Sequence, residues 1–211
     1  MLNQWLTIIS QYRLIAVIRA GSVPQGLKMA QSAAEAGVKI IEVTWGSKDP
    51  LALVKKLRIE LPDCYIGIGT ILSVDNLKMA IDSGVQFAFS PHLDYQLIDF
   101  AHQHDIPFIP GTLSPTEIIT AVNYGAKTVK VFPIQSMGGI DYIKNVLAPT
   151  PHLPLIPTGG VKVCDAVNYI RHGATAVGLS TDLFLPELLE KEDWSAITKR
   201  AKEVQSQLIK F

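Results

Sequence analysis

Cysteine is scarce in this sequence. Two occur in 211 residues, Cys64 and Cys164, far apart and without CxxC spacing. That excludes a disulfide framework, points to a reducing cytoplasm as the compartment, and leaves both thiols structural. Excess charge is missing too. Nineteen Lys and Arg balance nineteen Asp and Glu, and no basic cluster stands out, so neither nucleic acid nor a membrane surface is expected as a partner. The expected partner is a small molecule. Long apolar runs are absent: Met1 to Tyr12 carries Asn3, Gln4, Ser10 and Gln11 among its apolar residues, unlike a signal peptide or a membrane span. Histidines with ligand spacing are absent as well. His92, His102, His104, His152 and His172 pair with neither cysteine nor one another, and His102 and His104 face different sides of a helix. No metal site is expected. His92 alone is kept as a substrate contact, because it follows Pro91 at the end of a strand.

What is present is a regular alternation of strand and helix. Hydrophobic residues make up 48% of the chain, enough for the core of one domain over residues 1–211. Leu2, Trp5, Leu6, Ile9 and Tyr12 recur at helical spacing and predict an extra N-terminal helix that covers one end of the fold. Strands are predicted at Leu14 to Ile18, Val38 to Thr44, Tyr65 to Gly69, Phe87 to Ser90, Ile106 to Ile109, around Lys130, at Leu155 and Ile156, and at Ala174 to Leu179. Ser22 with Pro24, Asp49-Pro50, Ser73, Asp94 and Ser114-Pro115-Thr116-Glu117 begin helices between them, and Gly37, Gly84, Gly125 and Gly173 end helices. A last helix runs from Trp194 to the end. With no hairpin signal anywhere, the fold class is α/β, a (β/α)8 TIM barrel. A doubly wound open sheet is the alternative, disfavoured by the strand count and by the lack of GxGxxG after the first strand.

Two charges interrupt apolar strands. Lys130 sits in Thr128-Val129-Lys130-Val131-Phe132-Pro133, and Glu42 in Ile40-Ile41-Glu42-Val43-Thr44. Side chains alternate along a strand, so Lys130 faces opposite Val129 and Val131. Burying either charge unpaired is expensive. An amine that attacks a ketone must be neutral, and burial favours the neutral form of an amine. Lys130 is therefore a candidate imine-forming nucleophile and Glu42 a candidate general acid and base. A structural Lys130–Glu42 ion pair is the plainer alternative. In such barrels the active site lies at the carboxyl ends of the strands. Arg19, Thr70, Pro91, Gly111, Gly159, Gly160, Ser180 and Thr181 fall there. The Thr158-Gly159-Gly160-Val161 and Ser180-Thr181 turns, after the last two strands, stand where barrels often bind phosphate. A glycine turn with no ligand is the other reading of Gly159-Gly160.

Taken together, Ile41-Glu42-Val43-Thr44, Gly67-Ile68-Gly69-Thr70, Phe89-Ser90-Pro91, Ile109-Pro110-Gly111, Val129-Lys130-Val131-Phe132-Pro133 and Pro157-Thr158-Gly159-Gly160 resemble the 2-keto-3-deoxy-6-phosphogluconate (KDPG) / 4-hydroxy-2-oxoglutarate (KHG) aldolase family. The resemblance runs in order from about residue 14 to 184. It implies a homotrimeric (β/α)8 barrel that is a class I, Schiff-base aldolase and uses no metal or organic cofactor. The implied reaction splits KDPG into pyruvate and glyceraldehyde 3-phosphate, with KHG, split to pyruvate and glyoxylate, as a second substrate. By position in the motifs, Lys130 is the Schiff-base lysine and Glu42 the proton shuttle. Thr70 contacts the pyruvate carboxylate, Pro91 joins the keto-acid site, and Gly159, Gly160, Ser180 and Thr181 hold phosphate.

The sequence departs from the family pattern in two places. KDPG-type enzymes carry an arginine for the substrate carboxylate where this chain has Gly46. Arg19, at the end of the first strand, is the expected replacement, because its planar fork matches a carboxylate; Lys48 is less well placed. The related 6-phosphogalactonate branch uses an arginine at that strand end, so the preferred epimer stays open. Ser180 stands where the family favours glycine, narrowing the phosphate seat. Alternatives to KDPG cleavage are therefore cleavage of the galactonate epimer, or a non-catalytic phosphosugar-binding barrel.

Overall fold

Short polar side chains set where the helices begin. Ser22 accepts a hydrogen bond from Gln25 N–H, Ser73 from Asn76, and Asp94 from Gln96 and Leu97. Ser114 and Glu117 form a reciprocal capping box. The computed structural model describes residues 1–211. Its order is α1 (Trp5–Tyr12), β1 (Leu14–Ile18), α2 (Val23–Glu35), β2 (Ile40–Thr44), α3 (Pro50–Glu60), β3 (Tyr65–Gly69), α4 (Val74–Asp82) and β4 (Ala88–Phe89). Then come α5 (Tyr95–Gln103), β5 (Phe108–Ile109), β6 (Gly111–Thr112), α6 (Pro115–Asn123), β7 (Val129–Val131), α7 (Ile140–Leu147) and β8 (Leu155–Pro157). The chain closes with α8 (Ala166–Arg171), β9 (Val177–Leu179), α9 (Pro186–Glu190) and α10 (Trp194–Leu208). No helix is long and apolar enough to cross a membrane.

Every strand pairing is parallel, in the orders β5-β4-β3-β2-β1-β9 and β6-β7-β8. A single bridge, Thr158–Gly178, links the end of β8 to β9. Pro110 divides β5 from β6 because it has no N–H to give, yet its carbonyl still accepts from Lys130 N–H at 2.9 Å. The fifth predicted strand, Ile106 to Ile109, is thus shortened to β5, and β6 beyond the proline was not predicted. The predicted strand at Val38 begins at Ile40, and neither α7 nor α9 was foreseen. The architecture is an α/β fold with its parallel strands in a curled sheet.

The two faces of that sheet differ. Leu14, Ala16 and Ile18 of β1 point outward into a 51-residue core shared with the helices, whereas Ile15 and Val17 point inward into a separate cluster of 11. α1 is the only helix in the inner cluster, through Trp5, Ile8 and Ile9. A doubly wound sheet would cover both faces with helices. Trp5 stacks at 5.0 Å on Phe87, and its Nε1–H donates to Thr128 Oγ1 at 2.9 Å. The N-terminal helix therefore seals the inner face at the strands' amino ends. The carboxyl ends stay open.

Candidate active site

Lys130 shares the inner face of β7 with Thr128, two residues nearer the carboxyl end. Register places it between Gly111 and Ile156. It is 6% exposed, with Nζ 4.7 Å from the ring centre of Phe132 and 5.8 Å from that of Phe89. Glu42 lies on the inner face of β2 and is 1% exposed. Neither side chain takes part in any ion pair within 4.0 Å, so the direct structural pair that the sequence left open does not form. Burial pushes the Glu42 carboxyl above its ordinary pKa, and the nearby Lys130 and Arg19 cations pull against that rise.

Both groups open onto one cavity of about 480 Å³ at the carboxyl ends of the strands. Arg19, Thr70, Pro91, Gly159, Gly160, Ser180 and Thr181 all line it. All the side chains and turns singled out from the sequence as site residues are thus brought together. Two further strand-end residues are not. His92 lies outside the cavity wall, with Nδ1 2.8 Å from Ser90 Oγ. Gly111 lies outside it as well, but a Cβ there would sit 2.2 Å from the Pro91 carbonyl carbon, so its bareness lets Pro91 reach the cavity.

Local structure holds each of these residues in place. Ser47 Oγ accepts from Ala20 N–H at 3.1 Å and lies 3.4 Å from the Ile18 carbonyl, bracing the backbone on both sides of Arg19. The Arg19 guanidinium lies over Gly46, where a Cβ would come within 3.2 Å of Nη1. Arg19 therefore occupies the space beside the position at which the family pattern has its arginine. Lys48, the weaker candidate, is not on the cavity wall. Thr70 has φ of +65°, a left-handed backbone that β-branched residues seldom adopt. Strain of that kind collects at functional sites.

Two turns build another part of the wall. Gly159 and Gly160 have φ of +90° and +83°, and a Cβ on them would meet Phe132 at 2.8 Å and Gln135 at 2.5 Å. Both demands select glycine whether or not a ligand binds. Lys162 and Asp182 also line the cavity and were missed by the sequence reading. Lys162 could have been found, since an amine closely following Gly159-Gly160 extends the same anion-binding logic. Asp182 carried no comparable signal.

A buried amine, a buried carboxyl whose pKa is raised, a guanidinium, a threonine and two small-residue turns line one space. The set can condense with a carbonyl, move a proton beside it and hold an anion at either end. The model for the family "KDPG and KHG aldolase" matches residues 6–200. The KHG/KDPG aldolase of Escherichia coli K12 is 28% identical over 206 residues, 96% of this chain and 97% of that one. A KDPG aldolase from Legionella pneumophila, solved with pyruvate captured as a covalent carbinolamine, superposes with a TM-score of 0.87 at 26% identity, covering 94% of this chain and 97% of its own. A native KDPGal structure superposes at 0.79 with 26% identity, over 90% of this chain and 95% of that one. The chain belongs to the KDPG and KHG aldolase family.

Proposed function

We propose that this chain is a metal-independent class I aldolase that cleaves 2-keto-3-deoxy-6-phosphogluconate to pyruvate and glyceraldehyde 3-phosphate, with 4-hydroxy-2-oxoglutarate, split to pyruvate and glyoxylate, as a second substrate. One observation carries this: Lys130 and Glu42 are both buried, are not paired with each other, and open onto the same cavity. Lys130 Nζ adds to the C2 ketone, and loss of water gives a protonated imine. A base takes the proton from the C4 hydroxyl, the C3–C4 bond breaks, and its electrons flow into the imine as an enamine. The aldehyde leaves. Protonation at C3 and hydrolysis then release pyruvate and the free amine. Glu42 moves these protons; burial raises its carboxyl above the ordinary pKa, which favours the protonated form a general acid needs.

Arg19 and Thr70 hold the carboxylate of the keto acid, and Pro91 closes that side of the site. Gly159, Gly160, Ser180 and Thr181 receive the phosphate through backbone N–H groups and hydroxyls. The strands close into a (β/α)8 barrel over one domain, residues 1–211. The Thr158–Gly178 bridge and the continuity through Pro110 support that closure. The working form is a homotrimer in the cytoplasm.

A second substrate is favoured by a specific feature. With Arg19 lying over Gly46, the carboxylate anchor comes from the first strand end, as expected for the 6-phosphogalactonate branch. Comparing cleavage of the two C4 epimers, coupled to pyruvate detection, separates these specificities. The activity itself is tested by adding pyruvate and borohydride. A covalent adduct on Lys130, lost in Lys130→Ala, is expected. An unchanged intact mass of the folded protein would leave a phosphosugar-binding protein without turnover.

A further inference from the structure

Asp182 lies on the cavity wall, yet none of the roles above uses it. Its Oδ2 accepts two hydrogen bonds, from Val163 N–H at 2.7 Å and from Arg200 Nη2 at 2.8 Å. Arg200 reaches over from α10, and its Nε also donates to the Asp182 carbonyl at 2.6 Å. One guanidinium thus fixes both the side chain and the main chain of this residue. Val163 follows the turn after β8, and Asp182 ends the turn after β9. Their bond is the one side-chain hydrogen bond that joins the two turns. It also holds the backbone next to Lys162, another residue of the cavity wall.

Stability does not account for the pair. Its side chains are 30% and 31% exposed, and ion pairs this accessible typically add little to stability. Placement and charge account for it better. Asp182 is among the residues lining a cavity that takes a phosphate dianion, and a carboxylate so near is repulsive unless a cation cancels it. Arg200 supplies that cation from behind, outside the cavity wall.

We infer that Arg200 and Asp182 are positioning residues of the phosphate seat: they clasp the turn after β8 to the turn after β9, and Arg200 neutralises a carboxylate that would otherwise repel the substrate's phosphate. The inference rests on the aldolase assignment proposed above and names what tunes its phosphate end. Charge logic makes it asymmetric. Removing Arg200 alone does more harm than removing both charges, because the Asp182 carboxylate is then left uncompensated beside the phosphate seat.

The test uses the full chain with Arg200→Ala, Arg200→Lys, Asp182→Asn and the Asp182→Asn/Arg200→Ala double variant. Arg200→Ala should raise KM for 2-keto-3-deoxy-6-phosphogluconate about tenfold with a much smaller change in kcat. The double variant and Arg200→Lys should each recover part of that loss. The pyruvate concentration that half-saturates borohydride trapping should move by less than about twofold, since pyruvate carries no phosphate. Equal losses for the phosphorylated acid and for pyruvate, or a double variant worse than Arg200→Ala, would overturn the inference. Calorimetry with glyceraldehyde 3-phosphate reads the seat without turnover, and Arg200→Ala should weaken that binding by a similar factor. Wild-type protein that binds the phosphate ester but traps no pyruvate would sink the aldolase assignment, and the calorimetric ratio would still decide the clasp.

Discussion

Gly69 makes room for Glu42. A Cβ on Gly69 would stand 1.7 Å from Glu42 Oε1 and 2.5 Å from its carboxyl carbon. The strand register pairs Glu42 with Gly67, so the carboxyl leans one step toward the open end of β3. Gly69 is therefore bare for a steric reason, since its φ lies outside the left-handed range. Gly69→Ala should leave the backbone in place and push the carboxyl out of position. Cleavage should fall by about 10²-fold in kcat, the low end of what a misplaced acid–base group loses. Steady-state kinetics check this, with circular dichroism showing an intact fold. Unchanged kcat would mean that Glu42 does not need its present position.

Glu42→Gln should lower cleavage and raise stability, in a pH window whose sign is fixed. Burial raises the folded-state pKa of Glu42 above its unfolded value. Between the two pKa values the folded chain binds more protons than the unfolded chain, so this group's contribution is fully present below the unfolded pKa and is lost as pH rises through the folded one. Glutamine removes that loss. Melting curves should show the variant gaining Tm over the parent at pH 7 to 8, and the gain shrinking toward pH 4. A gain that grew on acidification would contradict the raised pKa.

Much of this site is legible in the sequence because its key residues violate local rules. A lysine and a glutamate inside β-branched runs demand a reason wherever they occur, and the strand period alone sends Lys130 to the face opposite Val129 and Val131. The helix starts are legible for a similar reason, since each cap sits within a few residues of the N–H groups it satisfies. Partners distant in sequence are not. That Gly69 shelters Glu42, that Ser47 braces Arg19 and that Arg200 of α10 neutralises Asp182 depend on which side chains the fold brings together. No spacing encodes those meetings. The resumption of strand structure after Pro110 lies between these cases: the proline is visible, but its carbonyl's pairing with Lys130 is a tertiary fact.

Ser47→Ala should weaken both fold and substrate binding. Ser47 is buried, and its Oγ is the acceptor for Ala20 N–H and a neighbour of Thr44 Oγ1 at 3.2 Å. Losing it strands a buried donor, which costs about 1–3 kcal/mol. For a chain of this size that corresponds to a Tm drop of roughly 2–4 °C per kcal/mol. The backbone around Arg19 also loosens. Half-saturation by pyruvate in borohydride trapping should therefore rise with the fall in Tm. A lower Tm with unaltered pyruvate saturation would show that Ser47 serves the fold alone.

Arg19→Lys tests whether geometry or charge anchors the keto acid. Arg19 forms no ion pair with any carboxylate of the chain, so its fork is free for an incoming one. Lysine keeps the charge and loses the paired, planar donors. The expected result is a rise of about tenfold in KM for the keto acid, a larger rise in Arg19→Ala, and smaller changes in kcat, since the carboxylate is held alike in ground and transition states. Gly46 supplies the decisive control. Its φ is not left-handed and a Cβ there would approach Arg19 Nη1, so an arginine at position 46 enters the volume that Arg19→Ala vacates. The double variant Arg19→Ala/Gly46→Arg should regain part of the lost affinity. If Arg19→Ala leaves pyruvate saturation where it was, the carboxylate is anchored elsewhere. If Arg19→Ala loses affinity that Gly46→Arg fails to restore, the site needs its guanidinium from the first strand, and the two positions are not interchangeable.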